Sequence, residues 1–185
     1  MKWNTYSQSE LDHSFLSPSK PSWLNYDANK LLSVYETKNR AVYGTRLHAF
    51  AAEAISLSIR MPATTASLNA FVNDAIGYKM RPEQLLYASE YAYGTADAIS
   101  FEDESKTLRI HDLKTGILPP SLNQTLVYAA LFCLEYKTWP LYTELRVYQN
   151  DEVLIWKPSN DEIQVVCNKI MEHTNTLREY DNAKR

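Results

Sequence analysis

The sequence of 185 residues has little cysteine and no excess of positive charge. Its two cysteines, Cys133 and Cys167, are too few for a disulfide framework or a four-cysteine metal site. The 19 Lys and Arg residues against 22 Asp and Glu give a net charge of −3, which excludes a protein that coats polyanions over its whole surface. If the chain binds nucleic acid, its positive surface must be local.

Long hydrophobic runs are also absent. The longest apolar run, Leu126 to Leu134, is far shorter than the roughly 18 residues that a membrane span needs. The opening segment MKWNTYSQSE is polar, unlike a signal peptide. The content of 45% hydrophobic and 22% charged residues is that of a globular protein. We therefore expect one folded domain over residues 1–185, in the cytoplasm and without a membrane segment.

Glycine is scarce as well, with only Gly44, Gly77, Gly94 and Gly116. Glycine permits backbone conformations and close approaches that other residues resist, so a chain this poor in glycine keeps it where geometry demands it. Gly77 follows SLNAFVNDAI and is typical of a helix C-cap. The other three stand in GTRLH, GTADA and DLKTG, either as ordinary turns or as parts of a site.

The hydrophobic pattern predicts helices first and a sheet afterwards. Residues 1–80 are mainly helical, and residues 85–160 carry the strands. The predicted helices lie near Ser7–His13, at 27–37 with Asp27 as N-cap, at 41–60 ended by Pro62, at 65–76, at 121–136 with Ser121 as cap, and in the C-terminal segment 160–185. The predicted strands are LLYASEYA, TADAISF, TLRIHDL, TELRVYQ and EVLIWKP. This order predicts an α/β fold with a mixed central sheet flanked by helices.

The segment IHDLKTG places two opposite charges on one face of a strand. Alternation puts Asp112 and Lys114 on one face and Leu113 on the other, and alone such a pair could be an exposed ion pair worth ~0–1 kcal/mol. Asp97 lies on the preceding strand, and antiparallel pairing through the loop Glu102–Lys106 would bring it near Asp112. Two close carboxylates repel each other unless a proton or a cation lies between them. Oxygen ligands favour Mg²⁺ or Mn²⁺.

Four other polar residues have two interpretations each. His48, on the apolar stripe of the 41–60 helix, is either a buried hydrogen-bonded histidine or a nitrogen ligand. Gln124 and Tyr128, at i and i+4, share a helix face that either meets solvent or lines a groove. Glu90, before Asp97, is either an exposed strand charge or a further ligand.

Four motifs occur in order along the chain. They are Gly-Thr-x-x-His at Gly44–His48, Gly-Thr-Ala-Asp at Gly94–Asp97, Asp-Leu-Lys-Thr-Gly at Asp112–Gly116 and Gln-x-x-x-Tyr at Gln124–Tyr128. Together they resemble the RecB-like branch of the PD-(D/E)xK nuclease superfamily, over about residues 15–136. The segment before GTRLH is most similar to phage-encoded single-domain exonucleases of that branch, which implies the cytoplasm of a host cell.

The resemblance implies a restriction-endonuclease-like core and divalent-metal-dependent hydrolysis of DNA phosphodiester bonds. The implied ligands of Mg²⁺ or Mn²⁺ are His48, Asp97, Asp112, the Leu113 backbone carbonyl and, from a looser alignment, Glu90. The implied catalytic side chains are Lys114 beside the two aspartates, with Gln124 and Tyr128 engaging the substrate. Iron–sulfur members of the branch carry four cluster cysteines, so no iron–sulfur cluster is expected here.

The expected function is therefore a metal-dependent deoxyribonuclease that acts as an exonuclease at DNA ends in recombination or repair. Candidate phosphate contacts are Arg46, Lys79, Arg81 and Arg109, besides Gln124 and Tyr128. DNA is the expected partner, and a recombinase, a single-strand-binding protein or a second copy of the chain are further candidates, because no helicase is fused. The alternatives are a non-catalytic DNA-end-binding module on the same fold, or an α/β interaction protein whose polar residues are structural.

Overall fold

The computed structural model describes residues 15–18, 20–116 and 121–184, and five strands form one sheet within them. The predicted helix near Ser7–His13 lies outside the described residues. The strands are β1 (Arg81–Ser89), β2 (Ala92–Glu102), β3 (Thr107–Leu113), β4 (Tyr142–Gln149) and β5 (Glu152–Trp156). The helices are a 3-10 helix (Pro21–Asn25), α1 (Ala28–Ser56), α2 (Ser67–Gly77), α3 (Asn123–Tyr136) and α4 (Asn160–Ala183).

The chain divides into two units, Met1–Tyr43 and Gly44–Arg185. In the first unit, the Trp23 indole N–H donates to the Ser17 carbonyl (3.1 Å) and the rings of Phe15 and Tyr35 meet edge to face. The Asp27 carboxylate accepts a hydrogen bond from the Lys30 N–H (2.7 Å), which confirms the predicted N-cap. The sheet and the remaining helices belong to the second unit.

The predicted helices 27–37 and 41–60 are one continuous helix, α1. The intervening residues 38–40 include no glycine or proline, Lys38 and Arg40 are good helix formers, and the Arg40 guanidinium pairs with Glu36 one turn earlier. The helix ends at Ser56, well before Pro62. The left-handed backbone of Ser58 (φ 55°) lies just after that end, so Pro62 is not its terminator.

The sheet has the order β1-β2-β3-β4-β5 and is mixed. The β1–β2, β2–β3 and β4–β5 pairs are antiparallel, whereas β3 and β4 are parallel and joined by a crossover through α3. This confirms the predicted α/β fold with a mixed sheet flanked by helices, and it is consistent with a restriction-endonuclease-like core. β1 begins earlier than predicted and includes Pro82, which an edge strand tolerates.

Helices cover both faces of the sheet. On one face, α3 and α4 pack on residues such as Leu86, Ile110 and Leu145. On the other face, α2 and the last turns of α1 pack on Leu113 and Tyr148. Cys133 in α3 and Cys167 in α4 are buried in the first cluster. Among the described residues, no helix is long and apolar enough to cross a membrane.

The tip of the β1–β2 hairpin is attached to α4. The Arg178 guanidinium donates two hydrogen bonds to Glu90 (2.7 and 2.8 Å). Beside it, the buried hydroxyls of Ser89 and Thr174 lie 3.0 Å apart, and the Tyr91 hydroxyl donates to a further α4 residue, Asp181. α4 thereby braces the end of this hairpin.

Gly44 lets α1 approach the segment that follows β3. A Cβ added at Gly44 would lie 2.7 Å from the Thr115 Oγ1, closer than real Cβ atoms come to a neighbour, whereas a Cβ at Gly77 would meet nothing within 4 Å. The predicted close approach of this helix is therefore present, and it involves the loop after β3. Gly77 is the last residue of α2, and none of the described glycines has a positive φ.

We expect Gly44→Ala to cost about 1 kcal/mol of unfolding free energy relative to Gly77→Ala, because the added methyl must displace Thr115. Gly77→Ala is the matched control, since it adds the same helix propensity in open space. Thr115→Ala in the Gly44→Ala background should restore stability, because the Thr115 Cβ at 3.8 Å leaves room. Urea unfolding measures all three. Equal stability of the two single variants would contradict the close-packing argument.

Candidate metal centre

Three carboxylates lie on one row across the sheet. The β1–β2 register places Glu83 opposite Asp97. The β2–β3 register, continued one step beyond the pair Ala98–His111, places Asp97 opposite Asp112. Directly opposed like charges destabilise a sheet, so this row needs a proton or a cation to compensate it.

Asp97 is held from two sides. Its Oδ2 accepts a hydrogen bond from the Leu113 N–H (2.8 Å), and its Oδ1 lies 3.3 Å from the His48 Nδ1. β2 departs from regular alternation here, because Ala96 and Ile99, three residues apart, pack in the same cluster. The carboxylate is thus aimed at α1 as well as at β3.

Glu83 completes a three-residue group with His48 and Asp97. Each of the three offers one ligand atom, and these atoms all lie within 4.8 Å of one another. Glu83 has a left-handed backbone (φ 49°) within β1, which is uncommon for a residue with a side chain and costs conformational energy. The strain is located at the residue whose carboxylate faces Asp97.

Lys114 links the carboxylate row to α3. Its Nζ lies 3.0 Å from Oδ2 of Asp112 and donates to Oδ1 at 3.2 Å, so the two side chains share a face as predicted. The same Nζ donates to the Gln124 Oε1 (2.5 Å), and the Gln124 Nε2 donates to the Tyr128 hydroxyl (3.2 Å). A Cβ at Gly94 would lie 3.1 Å from the Tyr128 ring, so this glycine admits the ring against β2.

The backbone of Lys114 is fixed by β4. Its N–H donates to the Tyr148 carbonyl (2.9 Å). The Tyr148 hydroxyl donates to Asp74 of α2 (2.6 Å) and lies 3.1 Å from the Nδ1 of buried His111. Desolvation lowers the pKa of His111 to about 3, so this imidazole is neutral. The backbone of Lys114 is therefore attached to a buried, hydrogen-bonded residue of β4.

Asp112 is the most buried member of the row, with 1% of its surface exposed. Its Oδ2 makes no hydrogen bond within the described structure, although the Lys114 ammonium is close. Desolvation, followed by repulsion from Asp97, raises the pKa of the Asp112 carboxyl. A buried carboxylate oxygen without a donor fits a divalent cation.

His48 and Glu83 also have raised pKa values. The hydrogen bond to Asp97 raises the pKa of His48 above its ordinary value, against the effect of burial. Desolvation and the charge of Asp97 raise the pKa of the Glu83 carboxyl. One imidazole nitrogen and several carboxylate oxygens form a hard donor set, which suits Mg²⁺ or Mn²⁺.

The structure does not bring Glu90 to this site. Glu90 lies in the turn between β1 and β2, at the far end of the hairpin from Asp97, and its carboxylate is bound by Arg178. That ion pair lowers its pKa to about 2. The predicted ligand role of Glu90 is therefore wrong for this geometry, and Glu83 occupies the position facing Asp97.

The predicted phosphate contacts differ in their exposure and in the sheet face on which they lie. Arg109 has its guanidinium stacked 4.6 Å from the Tyr78 ring centroid and lies on the opposite sheet face from Asp112, so we withdraw it as a phosphate contact. Arg46 is exposed on α1 two residues before His48, and Lys79 and Arg81 are exposed where α2 leads into β1.

Leu113 contacts the site through its N–H, and a ligand role for its carbonyl oxygen stays a prediction. Glu83 was missed because the strand was taken to start after it, at Leu85. A register count supplies the signal, since Glu83 and Asp97 each lie seven residues from Glu90 in the sequence.

Comparisons with protein-family models, with curated proteins and with solved structures give no match for this chain. The assignment of the site therefore depends on its own geometry.

We expect Glu83→Gln to weaken Mn²⁺ binding by about tenfold or more, because it removes one negative oxygen ligand from the group. Glu90→Gln, seven residues away on the same hairpin, is the matched control and should bind as the parent does. Calorimetric titration of the metal-free protein measures both. A reversed order of the two variants would restore Glu90 as the ligand.

We also expect the stabilisation that protonated Glu83, Asp112 and His48 give the metal-free protein to be lost as pH rises from about 4 to about 8. Buried His111 has a lowered pKa and contributes the opposite trend. The folded-state pKa values of Glu83, Asp112 and His48 are raised, so the folded chain holds these protons more tightly than the unfolded chain. This stabilisation is complete below the unfolded pKa values and is lost as pH passes the folded ones. Mn²⁺ should raise the melting temperature most at high pH, where it no longer competes with protons. Melting curves in EDTA and in Mn²⁺ test this, and a metal effect that shrinks with pH would contradict it.

Proposed function

We propose that this protein is a divalent-metal-dependent deoxyribonuclease that hydrolyses phosphodiester bonds at DNA ends. The observation that carries the proposal is the position of the Lys114 ammonium between Asp112 (3.0 Å) and Gln124 (2.5 Å), next to the carboxylate row. Two acids with only Lys114 and His48 as close positive partners, and a lysine that is partly exposed at their edge, form an arrangement for a metal ion and an anionic substrate.

Glu83, Asp97 and His48 would hold the metal, because one donor atom of each lies within 4.8 Å of the others. Asp112 is outside this group and would join it from the neighbouring position of β3, one register step beyond the pair Ala98–His111. A bound Mg²⁺ or Mn²⁺ supplies charge neutralisation of the phosphodiester oxygens and a water of lowered pKa. The burial of the Asp112 carboxylate and the raised pKa values of Asp112, Glu83 and His48 support this assignment.

Lys114 provides a partly exposed positive charge at the site. Its side chain is 31% exposed while that of Asp112 is only 2% exposed, so the ammonium reaches from the buried carboxylate to the surface where a phosphate would lie. There it orients the attacking water and stabilises negative charge that develops on phosphate oxygens.

Gln124 and Tyr128 fix the lysine and extend the polar surface. The Gln124 amide accepts from Lys114 and donates to the Tyr128 hydroxyl, so the hydroxyl proton of Tyr128 remains available to a phosphate oxygen. Burial raises the pKa of Tyr128, which keeps this hydroxyl protonated as a donor at neutral pH. Arg46, exposed on α1 two residues before His48, stays a predicted phosphate contact.

We expect Lys114→Ala to reduce cleavage of linear DNA by about 10²-fold or more, because a positioned catalytic group contributes that much. Asp112→Asn should reduce cleavage and metal affinity together. Lys169→Ala, an exposed lysine of α4, is the control. End-labelled single- and double-stranded DNA, linear and circular, is incubated with Mg²⁺ or Mn²⁺, and the products are resolved on gels.

Wild-type cleavage by Lys114→Ala would remove the lysine from the proposed mechanism. Metal binding with no cleavage of any substrate would instead favour a non-catalytic DNA-end-binding module. Cleavage of circular DNA would replace the exonuclease proposal with an endonuclease.

A further inference from the structure

A cavity of about 290 Å³ lies beside the candidate metal centre, between the start of β1, β2 and α3. Five of its nine lining residues are apolar or aromatic, namely Leu86, Ile99, Phe101, Phe132 and Tyr136. The other four are Lys79, Arg81, Gln84 and Ser100. The Phe132 ring lies 5.2 Å from Phe101 and 5.0 Å from Tyr136, centroid to centroid. A cavity of this size and composition accommodates a flat aromatic ligand.

The cavity continues the substrate side of α3. Gln124, Tyr128, Phe132 and Tyr136 recur at intervals of four residues and therefore share one helix face. Gln124 and Tyr128 belong to the candidate site, and Phe132 and Tyr136 line the cavity. Four residues span about 6 Å of helix, so Tyr128 and Phe132 lie on adjacent turns.

The strands give the same connection. Leu86 of the cavity pairs with Gly94, against which the Tyr128 ring packs. Glu83 lies between two lining residues, Arg81 and Gln84, and about 10 Å of strand separates it from Leu86.

The mouth of the cavity is cationic. Lys79 and Arg81 line it, both are exposed, and no carboxylate is among the lining residues. A second cavity, of about 380 Å³, differs in this respect, because its Glu144 pairs with its Lys157. The first cavity therefore combines an aromatic interior with positive charge that its own walls do not neutralise.

β2 also offers polar backbone there. β1 covers β2 only as far as the pair Arg81–Ile99, while β2 continues to Glu102. Backbone groups on the uncovered edge can bond the polar rim of a ligand, as unpaired strand edges do.

We propose that this cavity binds one nucleotide of a single-stranded segment of the DNA substrate, with its base against Phe132 and Tyr136 and a phosphate on Lys79 and Arg81. The inference rests on the proposed function, since the metal centre defines the strand that enters. Stacking on aromatic side chains is tolerant of sequence and is worth ~1–3 kcal/mol per base, so it selects an unpaired strand without selecting its sequence.

The test is an abasic scan in EDTA, which prevents metal-dependent cleavage. Labelled oligothymidylates of about six nucleotides, each with one base removed at a different position, are titrated by fluorescence anisotropy. We expect one position at which loss of the base weakens binding by about tenfold, the equivalent of one stacked base. A flat scan, or no measurable binding, overturns the inference.

Tyr136→Ala should abolish the loss of affinity caused by the missing base at that position. Tyr180→Ala, which changes an exposed tyrosine of α4, should preserve it. Arg81→Ala should weaken all oligonucleotides equally and reduce the salt dependence by about one phosphate contact, and Arg60→Ala is its control. If the position-specific loss of affinity persists in Tyr136→Ala, the base binds elsewhere and the inference is overturned.

The Mg²⁺ cleavage assay separates this failure from that of the proposed function. If the protein cleaves DNA but no abasic position weakens binding, the nucleotide-binding inference is rejected and the nuclease proposal stands. If one position weakens binding but no DNA is cleaved, the nuclease proposal is rejected and a single-strand-binding site remains.

Discussion

Repulsion within one row of carboxylates is the constraint on which the site depends. Glu83, Asp97 and Asp112 face one another across three strands, and such a row is stable only with compensating charge. The protein surrounds it with His48 from one helix layer and Lys114 from the end of β3. The residual need for positive charge is the reason why we propose a metal centre here rather than a structural ion pair.

The layers on both sides of the sheet deliver these groups to one place. α1 comes close to the end of β3 because Gly44 has no side chain to contact Thr115, and α3 comes close to β2 because Gly94 leaves room for the Tyr128 ring. Two of the four glycines thus set helix–sheet distances rather than turns. The distances matter because each layer carries one part of the site.

The motif residues could be predicted from the sequence because their spacing obeys local rules. Strand alternation placed Asp112 with Lys114, and helical spacing placed Gln124 with Tyr128. The position of Glu83 follows from the sequence only if the hairpin register is assumed, since it depends on where an edge strand begins and on an unusual backbone angle. Glu90 was misplaced for the same reason, because a strand glutamate and a turn glutamate look alike until the register is known.

The contacts of the β1–β2 hairpin with α4 have a consequence for the order in which the parts of the site are made during synthesis. Every ligand precedes residue 113, whereas Thr174, Arg178 and Asp181, which hold the hairpin tip, follow some sixty residues later. A ribosome therefore exposes the whole acidic row before the helix that steadies two of its members has been made. During synthesis the β1–β2 hairpin therefore lacks its contacts with α4 until Thr174, Arg178 and Asp181 have been added.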